Sequence, residues 1–232
     1  MAGSAEASRI SLLNHWSGRA CRVWGAILLA AGKSTRMGQL KALLPWGNTT
    51  LIEYQVQQMS RSVIQQLVVV LGYEHQRLEP VIRKLQTQYR DQLNIIIQIN
   101  PDYDEGKTAS IRAGLAGLTR PVKALAIIGV DQPVLAKTID SLLLGVGDKG
   151  PEIRIPVYQG KRGHPPVFTD RFFPELREVN EQTEGLRQIM KSNQEYIQLM
   201  EVREPQVLLN LNREEDYRKA LGMGLDREDT ER

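Results

Sequence analysis

Residues 26–46, AILLAAGKSTRMGQLKALLPW, give the strongest indication of how this chain folds. The first six of them are small or apolar and carry no charge. That composition is typical of a strand buried on both faces, as the strands of a parallel sheet are. The next ten residues, 32–41, form a polar segment with two glycines and three basic side chains. Because ligands bind beyond the carboxyl ends of parallel strands, residues 32–41 are a candidate ligand-binding loop.

A repeating order of apolar runs and helical patterns follows this stretch. Three further runs predict buried strands, at residues 66–72, 93–99 and 124–130. Thr50 and Glu53 have the spacing of a helical capping box, and two later helices are expected to begin near Ser110 and near Thr138. Strands rich in Ile, Val and Leu that alternate with helices predict an α/β fold, in which a mostly parallel sheet is covered by helices.

The second half of the chain is less regular. Four short segments predict strands: EIRIPVY (152–158), PPVF (165–168), YIQLMEV (196–202) and VLLNL (207–211). Short helices are predicted near residues 170–179, 183–191 and 213–221. Since no repeat or composition break interrupts the chain, residues 23–222 are predicted to form one domain. A flexible extension (residues 1–22) is expected before it, and a polar tail (residues 223–232) after it.

Composition excludes several classes of protein. The chain has 232 residues, of which 41% are hydrophobic and 25% are charged, and its net charge of +3 does not indicate a nucleic-acid partner. No apolar run approaches the ~20 residues that a membrane span needs. The single cysteine, Cys21, excludes an internal disulfide framework and a cysteine metal cluster. It fits a reducing compartment, and the protein is predicted to be cytoplasmic.

The loop at residues 32–41 is predicted to bind phosphate groups through its basic side chains, Lys33, Arg36 and Lys41. A triphosphate carries several negative charges, and transfer at phosphorus requires that they be neutralised and held in place. The simpler alternative is a solvated basic turn, which is common on protein surfaces. The position of the loop directly after a buried strand favours phosphate binding.

Two familiar nucleotide motifs do not fit this loop. Gly32-Lys33-Ser34 reproduces the end of a P-loop, but Ile27 stands where that motif requires a glycine. Gly32 and Gly38 are too far apart for the G-x-G-x-x-G pattern of a dinucleotide-binding fold, which disfavours a hydride-transfer dehydrogenase. A different nucleotide-binding loop is therefore expected.

Two other loops follow predicted strands at the same edge of the sheet. Asp131 comes directly after the fourth strand and is predicted to hold Mg²⁺, although an aspartate there could instead cap the next helix. Gly106 and Ser110 are expected at a helix start, where free N–H groups suit an anion or the edge of a base. An ordinary capped helix is the equal alternative. His164, in a Gly- and Pro-rich loop, has no histidine partner nearby in sequence, so zinc is not predicted.

These segments resemble a known family. LLAAGKSTRMG, the lysine that follows it and GVDQP resemble the molybdenum cofactor nucleotidyltransferases, part of the MobA-like, glycosyltransferase-A-like nucleotidyltransferase superfamily. The resemblance continues through GKTASIRAGL, RGHPPVF and LLNLNREEDY and covers roughly residues 24–220. LAAG and RGHP are similar to the cytidylyltransferase branch, whereas the guanylyltransferase branch more often has LAGG.

The resemblance implies a three-layer, Rossmann-like α/β fold and a Mg²⁺-dependent enzyme. It implies that base and sugar lie against four residues, Leu29, Ala30, Ala31 and Gly32, and that Gly106 and Ser110 lie near the base. Lys33 belongs to the same nucleotide-binding loop. The predicted catalytic residues are Arg36 and Lys41, which would hold phosphates, and Asp131, which would bind Mg²⁺. The residues implied to face the acceptor are Gly163, His164 and Pro165.

Two segments depart from the family pattern. Where the cytidylyltransferases usually have Asp-x-Asp, this chain has Asn210-Leu211-Asn212. Asn210 is predicted to be a second metal ligand through its carbonyl oxygen, with the loss of one negative charge. The loop with Glu105 and Lys107 is also more charged than the small-residue version expected.

Three functions remain open at this point. The first is transfer of CMP from CTP to the phosphate of molybdopterin or of its molybdenum-loaded form, with release of pyrophosphate. The second keeps the reaction but uses another nucleoside triphosphate, with a sugar phosphate or another phosphorylated metabolite as acceptor. The third is a non-catalytic nucleotide- or cofactor-binding protein that assists maturation of a molybdoenzyme. Asn210 favours the third, whereas Lys41 and Asp131 weigh against it.

Overall fold

The structure is a computed structural model that describes residues 22–147 and 152–226, without the side chains of Arg36 and Thr183. Nearly all of the extension predicted at residues 1–22 lies outside this described part, as does most of the tail predicted at residues 223–232. Within the described ranges, no helix is both long and apolar enough to span a bilayer.

Ten strands and seven α-helices follow one another in the described chain. The strands are β1 (Val23–Ala30), β2 (Pro45–Trp46), β3 (Thr49–Thr50), β4 (Gln66–Leu71), β5 (Asn94–Ile99), β6 (Val122–Gly129), β7 (Ile153–Tyr158), β8 (Lys161–Arg162), β9 (Val167–Thr169) and β10 (Ile197–Glu201). The helices are α1 (Leu51–Ser60), α2 (His75–Gln88), α3 (Lys107–Ala116), α4 (Ala136–Leu144), α5 (Phe173–Glu178), α6 (Leu186–Ser192) and α7 (Glu214–Gly222). Short 3₁₀ turns connect several of them.

The central sheet has the order β10-β7-β9-β6-β1-β4-β5, with β8 paired to β7. Neighbouring strands run parallel, except that β9 is antiparallel to both β6 and β7, and β8 is antiparallel to β7. The chain first adds β4 and β5 on one side of β1 and then returns to place β6 on the other side. This reversal puts a topological switch point between the carboxyl ends of β1 and β6, where a ligand crevice is expected.

Helices cover both faces of the sheet, as predicted. Along β1, Ala26, Leu28 and Ala30 point into a core shared with α1, α2 and α4. The alternate residues Ile27 and Leu29 point into a second core, shared with α3, α5 and α6. This strict alternation of buried side chains explains why β1 is apolar throughout. The mostly parallel, three-layer α/β fold is therefore confirmed.

A third, smaller core joins the C-terminal segment to the first half of the chain. Trp46 and Leu51 from the β2–β3 hairpin region pack with Leu211 and with Tyr217 of α7. The Tyr217 hydroxyl donates a hydrogen bond to the backbone oxygen of Pro45. These contacts fix residues 209–212 beside the carboxyl edge of the sheet.

Several local predictions can be compared with these elements. The capping box is confirmed, since the Thr50 hydroxyl accepts from the Glu53 N–H and the Glu53 carboxylate accepts from the Thr50 N–H. The strand predicted at residues 207–211 is wrong, because Pro205–Leu208 forms a 3₁₀ turn and an extended but unpaired segment follows. Leu211 is buried by α7 and the hairpin rather than by neighbouring strands, and Leu209 packs against the same cluster.

Candidate active site

The loop after β1 has a backbone shape that presents Lys41 to the sheet edge. Ser34 and Gly38 adopt left-handed conformations, with φ of 54° and 64°, on either side of a 3₁₀ turn. The Ser34 hydroxyl accepts a hydrogen bond of 3.0 Å from the backbone N–H of Lys41. Ser34 therefore closes the loop, which is a role unlike that of the P-loop serine it resembles in sequence.

Lys41 and Asp131 meet at the switch point. The Lys41 Nζ lies 3.0 Å from Asp131 Oδ2 and also donates to Asn212 Oδ1 at 2.8 Å. Their side chains are only 13% and 25% exposed, so this ion pair is shielded from solvent far better than an ordinary surface pair. The sequence-predicted loops after β1 and β6 are thus in direct contact through charged side chains.

A buried glutamine holds the Asp131 loop through hydrogen bonds to its backbone. The Gln55 side-chain amide donates to the backbone oxygens of Gly129 and Gln132, at 3.2 and 2.8 Å. Gln55 is fully buried on α1. A Cβ at Gly129 would lie 2.6 Å from Asp131 Oδ1, so the aspartate side chain would have to turn away from a larger residue at this position. The two carbonyls held by Gln55 flank Asp131 and fix its position.

The C-terminal segment completes the site. The Leu211 N–H donates to the backbone oxygen of Asp131 at 2.9 Å, which ties residues 210–212 to the loop after β6. Asn210 and Asn212 both face the same cavity as Asp131. The structure thus brings Asp131 and Asn210 together, as the metal prediction requires, although they are far apart in the sequence.

A cavity of about 380 Å³ opens at this edge of the sheet. Its lining includes five predicted nucleotide-binding residues, Leu29, Ala31, Gly32, Gly106 and Ser110. It also includes both predicted metal ligands, Asp131 and Asn210, together with Lys107 and Asn212. A smaller cavity of about 120 Å³ lies beside it and is lined by Ala30, Ser34 and Lys41, among others. Leu29, Gly32 and Asp131 contribute to both, so the two cavities are neighbours.

Lys33 points away from Lys41 and Asp131, toward the loop after β5. Its ammonium lies 2.7 Å from Asp104 Oδ1 and 5.8 Å from the centre of the Tyr103 ring. The hydrogen bond to Asp104 raises the pKa of Lys33 above its ordinary value. The backbone of Arg36 lies in the 3₁₀ turn Thr35–Met37, but its side chain is outside the described part of the structure.

The helix after β5 begins earlier than predicted, and its start is not free. α3 starts at Lys107, so Ser110 lies within the first turn, buried, where its hydroxyl accepts a hydrogen bond from Asn100. The N–H of Thr108 donates to Glu181 Oε1 at 2.9 Å. A carboxylate of the protein therefore already satisfies this N–H, and the placement of Gly106 and Ser110 near the base stays a prediction. Sequence spacing could not reveal Glu181, which is 73 residues away.

The loop of Gly163, His164 and Pro165 packs against the C-terminal segment. The His164 N–H donates to the Val207 oxygen at 2.7 Å, and a Cβ at Gly163 would lie 2.5 Å from that same oxygen. Burial lowers the pKa of the His164 imidazole, the positive charge of Lys107 lowers it further, and Asp131 partly opposes both. His164 therefore lies within electrostatic reach of the cavity and favours its neutral form.

The residues at the switch point fit a magnesium ion that is shared with a substrate. Mg²⁺ is usually bound by one or two carboxylates together with substrate phosphates. Asp131 supplies a carboxylate and Asn210 an amide oxygen at the same cavity. Within residues 22–147 and 152–226 no group of three or more His, Cys, Asp and Glu side chains could form a closed metal site.

Comparison with known proteins assigns this chain to the nucleotidyltransferases. A model of the MobA-like NTP transferase domain family matches residues 26–197, and the chain belongs to this family. The match begins within β1 and includes Lys41, Asp131 and the loop with His164. The protein is therefore a nucleotidyltransferase, as the sequence predicted.

Individual relatives support the same assignment. The molybdenum cofactor cytidylyltransferase of Escherichia coli is 25% identical over 82% of this chain and 92% of its own length. The molybdenum cofactor guanylyltransferase of Xanthomonas euvesicatoria is 35% identical over 53% of this chain and 54% of its own length. The crystal structure of Rv0371c from Mycobacterium tuberculosis superposes with a TM-score of 0.71 at 25% identity, covering 88% of this chain and 100% of that one.

Proposed function

We propose that the protein transfers CMP from CTP to the phosphate of a molybdopterin-type acceptor and releases pyrophosphate. The observation that carries this proposal is the shielded contact of Lys41 with Asp131, which lines both cavities, at the switch point of a nucleotidyltransferase fold. The choice of CTP and of molybdopterin is supported by the Escherichia coli relative, which is named a molybdenum cofactor cytidylyltransferase and matches over nearly its whole length. The LAAG sequence at residues 29–32 favours the same branch.

The proposed reaction needs no strong general base. A phosphate oxygen of the acceptor attacks the α-phosphorus of the nucleotide, a new P–O bond forms, and the bond from the α-phosphorus to the β-phosphate oxygen breaks, so that pyrophosphate leaves with the electron pair. A phosphate monoester has its second pKa near ~6 and is already mostly dianionic at neutral pH. Catalysis then depends on positioning and on charge, which is what the site offers.

Each predicted residue has a role in this proposal. Leu29, Ala30, Ala31 and Gly32 would contact the base and ribose, with Gly106 and Ser110 nearby. Lys41 and Arg36 would hold the phosphates. Lys33 would contact the nucleotide from the edge of the same loop. Asp131 and Asn210 would hold Mg²⁺, which when bound neutralises phosphate charge. Gly163, His164 and Pro165 would face the acceptor.

Pyrophosphate release tests the proposal. The purified protein is incubated with each of CTP, GTP, ATP and UTP, with and without molybdopterin, in Mg²⁺. Release that requires both CTP and molybdopterin is expected. Turnover with a sugar phosphate in place of molybdopterin would assign a different acceptor, and tight nucleotide binding without turnover would assign a non-catalytic role in the maturation of a molybdoenzyme. The cytoplasmic location stays a prediction.

A further inference from the structure

Lys107 is a cavity-lining cation that has no partner within the described residues. It is exposed on the wall of the larger cavity, on the same cavity surface as Asp131 and Asn212. The neighbouring cations with described side chains are all engaged. Lys41 pairs with Asp131, Lys33 pairs with Asp104, and Arg112 binds Glu105 and the Val179 oxygen. Lys107 makes no such hydrogen bond or ion pair within residues 22–147 and 152–226.

The place of Lys107 in the fold does not suit a purely structural role. It is the first residue of α3, at the positive end of the helix dipole, where a cation is unfavourable. Desolvation by the surrounding cavity wall lowers the pKa of the Lys107 ammonium, and the carboxylates of Asp131 and Glu181 oppose that effect. The helix dipole and the lowered pKa both disfavour a positive charge at Lys107. A lysine at this position, on the surface of a ligand cavity, indicates an anionic ligand.

The chemistry of the reaction identifies which anion this is. Nucleotidyl transfer to a phosphate brings together two substrates that each carry phosphate charge, and they repel each other unless both are neutralised. Lys41 lines the smaller cavity, whereas Lys107 lines only the larger one, so the two ammonium groups serve different parts of the site. Lys107 is also near enough to His164 to lower the pKa of that imidazole. One cation is thus available for the nucleotide and another for the second phosphate.

We propose that Lys107 binds the phosphate of the acceptor and holds it for attack on the α-phosphorus. This inference rests on the proposed function in so far as the acceptor is a phosphate compound, but it does not depend on which compound that is. Lysine binds phosphate as a compact charge. Loss of that charge should therefore weaken acceptor binding more than it lowers the reaction rate of the bound complex.

Chemical protection tests the contact without any assumption about turnover. Lysines are acetylated under limiting reagent and the extent at Lys107 is read by peptide mass spectrometry. Four samples are compared: no ligand, α,β-methylene-CTP with Mg²⁺, inorganic phosphate, and both together. Lys84, an exposed residue in the second half of α2, is the internal reference in each digest. We expect phosphate to slow acetylation of Lys107 at least about threefold in the nucleotide-saturated protein, and to leave Lys84 unchanged.

Kinetics provide the second measurement. Lys107→Gln is expected to raise the KM for the acceptor by about ten- to a hundredfold, with the KM for the nucleotide changed less than about twofold. Lys107→Arg should recover most of the loss, and Lys84→Gln should behave as the unaltered protein. The position is exposed, so the variants are expected to fold, which circular dichroism checks.

The outcomes separate cleanly. Protection by the nucleotide analogue alone, with no further effect of phosphate, would assign Lys107 to the triphosphate and overturn the inference. Protection by neither ligand would overturn it as well. If the unaltered protein fails to turn over CTP with molybdopterin but phosphate still protects Lys107, the proposed acceptor is wrong and the phosphate site stands.

Discussion

At the scale of single residues, Lys41 and Asp131 carry the proposed chemistry. The two side chains are 3.0 Å apart, and each one satisfies the charge of the other in a shielded position. Lys41→Ala and Asp131→Ala should each reduce kcat/KM by more than about a hundredfold, since electrostatic groups of this kind contribute 10²–10³. Both rates are measured by pyrophosphate release under the conditions that support the unaltered protein.

The same two variants should stay folded, because the pair is at the surface of the site and not in a core. Thermal unfolding followed by circular dichroism is the control, and a cooperative transition is expected for both. Near-normal turnover by either folded variant would show that the site is misplaced. A fully unfolded variant would instead show that the pair is structural.

A second residue-scale prediction concerns Gln55, which holds the loop of Asp131. Gln55→Leu leaves the backbone oxygens of Gly129 and Gln132 without their buried donor, which costs about 1–3 kcal/mol of unfolding free energy. Because the same bonds position Asp131, kcat should also fall, by at least about tenfold. Urea denaturation measures the first effect and steady-state kinetics the second.

Gln58 provides a matched control for Gln55. It is a buried glutamine on the same helix, and its side chain accepts a hydrogen bond of 2.9 Å from the N–H of Ala136, away from the Asp131 loop. Gln58→Leu should lower stability by a similar amount and leave kcat unchanged. Equal losses of kcat in the two variants would argue that Gln55 has no specific positioning role.

Single residues also show which parts of the site can be predicted from the sequence. The sequence places Lys41 and Asp131 in two loops that each follow a buried strand, and because parallel strands end at one edge of the sheet, both are predicted at one site. Gln55 was missed because its position on an amphipathic helix is that of an ordinary core residue, and only the tertiary structure shows which carbonyls it meets. Asn212 was seen as part of a departure from the family pattern, but its bond to Lys41 joins residues 171 positions apart.

At the scale of elements, strands were predicted better than the starts of helices. β1, β4 and β6 are mostly apolar and buried along nearly their whole length, as strands covered on both faces are, whereas the edge strand β5 carries the polar residues Asn94 and Gln98. α3 begins three residues before Ser110, because Gly106 adopts a φ of 106° and the Glu181 carboxylate satisfies the N–H of Thr108. The signal for that helix start comes from a distant loop and is therefore absent from the local sequence.

The packing of α3 on the sheet leads to a prediction about Gly114. Replacing a glycine inside a helix by alanine normally stabilises the protein by about 1 kcal/mol. Here a Cβ would lie 2.6 Å from Ile27 Cγ2, an atom of a stiff β-branched side chain in β1. Gly114→Ala should therefore destabilise the protein, by about 1–3 kcal/mol, because the helix must move away from the sheet.

Ala116, exposed near the end of the same helix, is the matched comparison. Ala116→Gly should cost at most about 1 kcal/mol from helix propensity, with no change in packing. Both variants are measured by urea denaturation. A stabilised Gly114→Ala variant would show that α3 does not approach β1 this closely.

At the scale of the whole molecule, the C-terminal segment joins the third core to the site. Leu211 is fully buried between Trp46 and Tyr217, and its N–H holds the backbone of Asp131. Leu211→Ala should cost about 2–5 kcal/mol of stability through the cavity it creates. It should also reduce activity, because Asn210 and Asn212, on either side of it, lose their fixed positions.

Leu176→Ala separates these two effects. Leu176 is equally buried, in the core on the other side of the sheet, and it does not line the cavity. A similar loss of stability with unchanged kcat at a temperature well below both unfolding transitions is expected for Leu176→Ala. An equal loss of kcat in both variants would attribute the effect of Leu211 to general destabilisation.

The pH dependence of stability is the last property of the whole molecule that the site determines. Burial and the neighbouring Lys107 ammonium lower the pKa of His164 in the folded protein below 6.5, while Asp131 opposes them only in part. The unfolded chain therefore binds a proton at a pH where the folded chain does not, so stability falls as the pH falls below about 6.5. Above that pH both states are neutral at His164 and the contribution is constant.

Measured by urea denaturation at pH 7.5, 6.5 and 5.5, the unaltered protein should lose more stability than His164→Gln, which has no proton to gain. Parallel losses in the two proteins would mean that His164 is as free to be protonated in the folded state as in the unfolded one, and that the charge of Lys107 does not reach it.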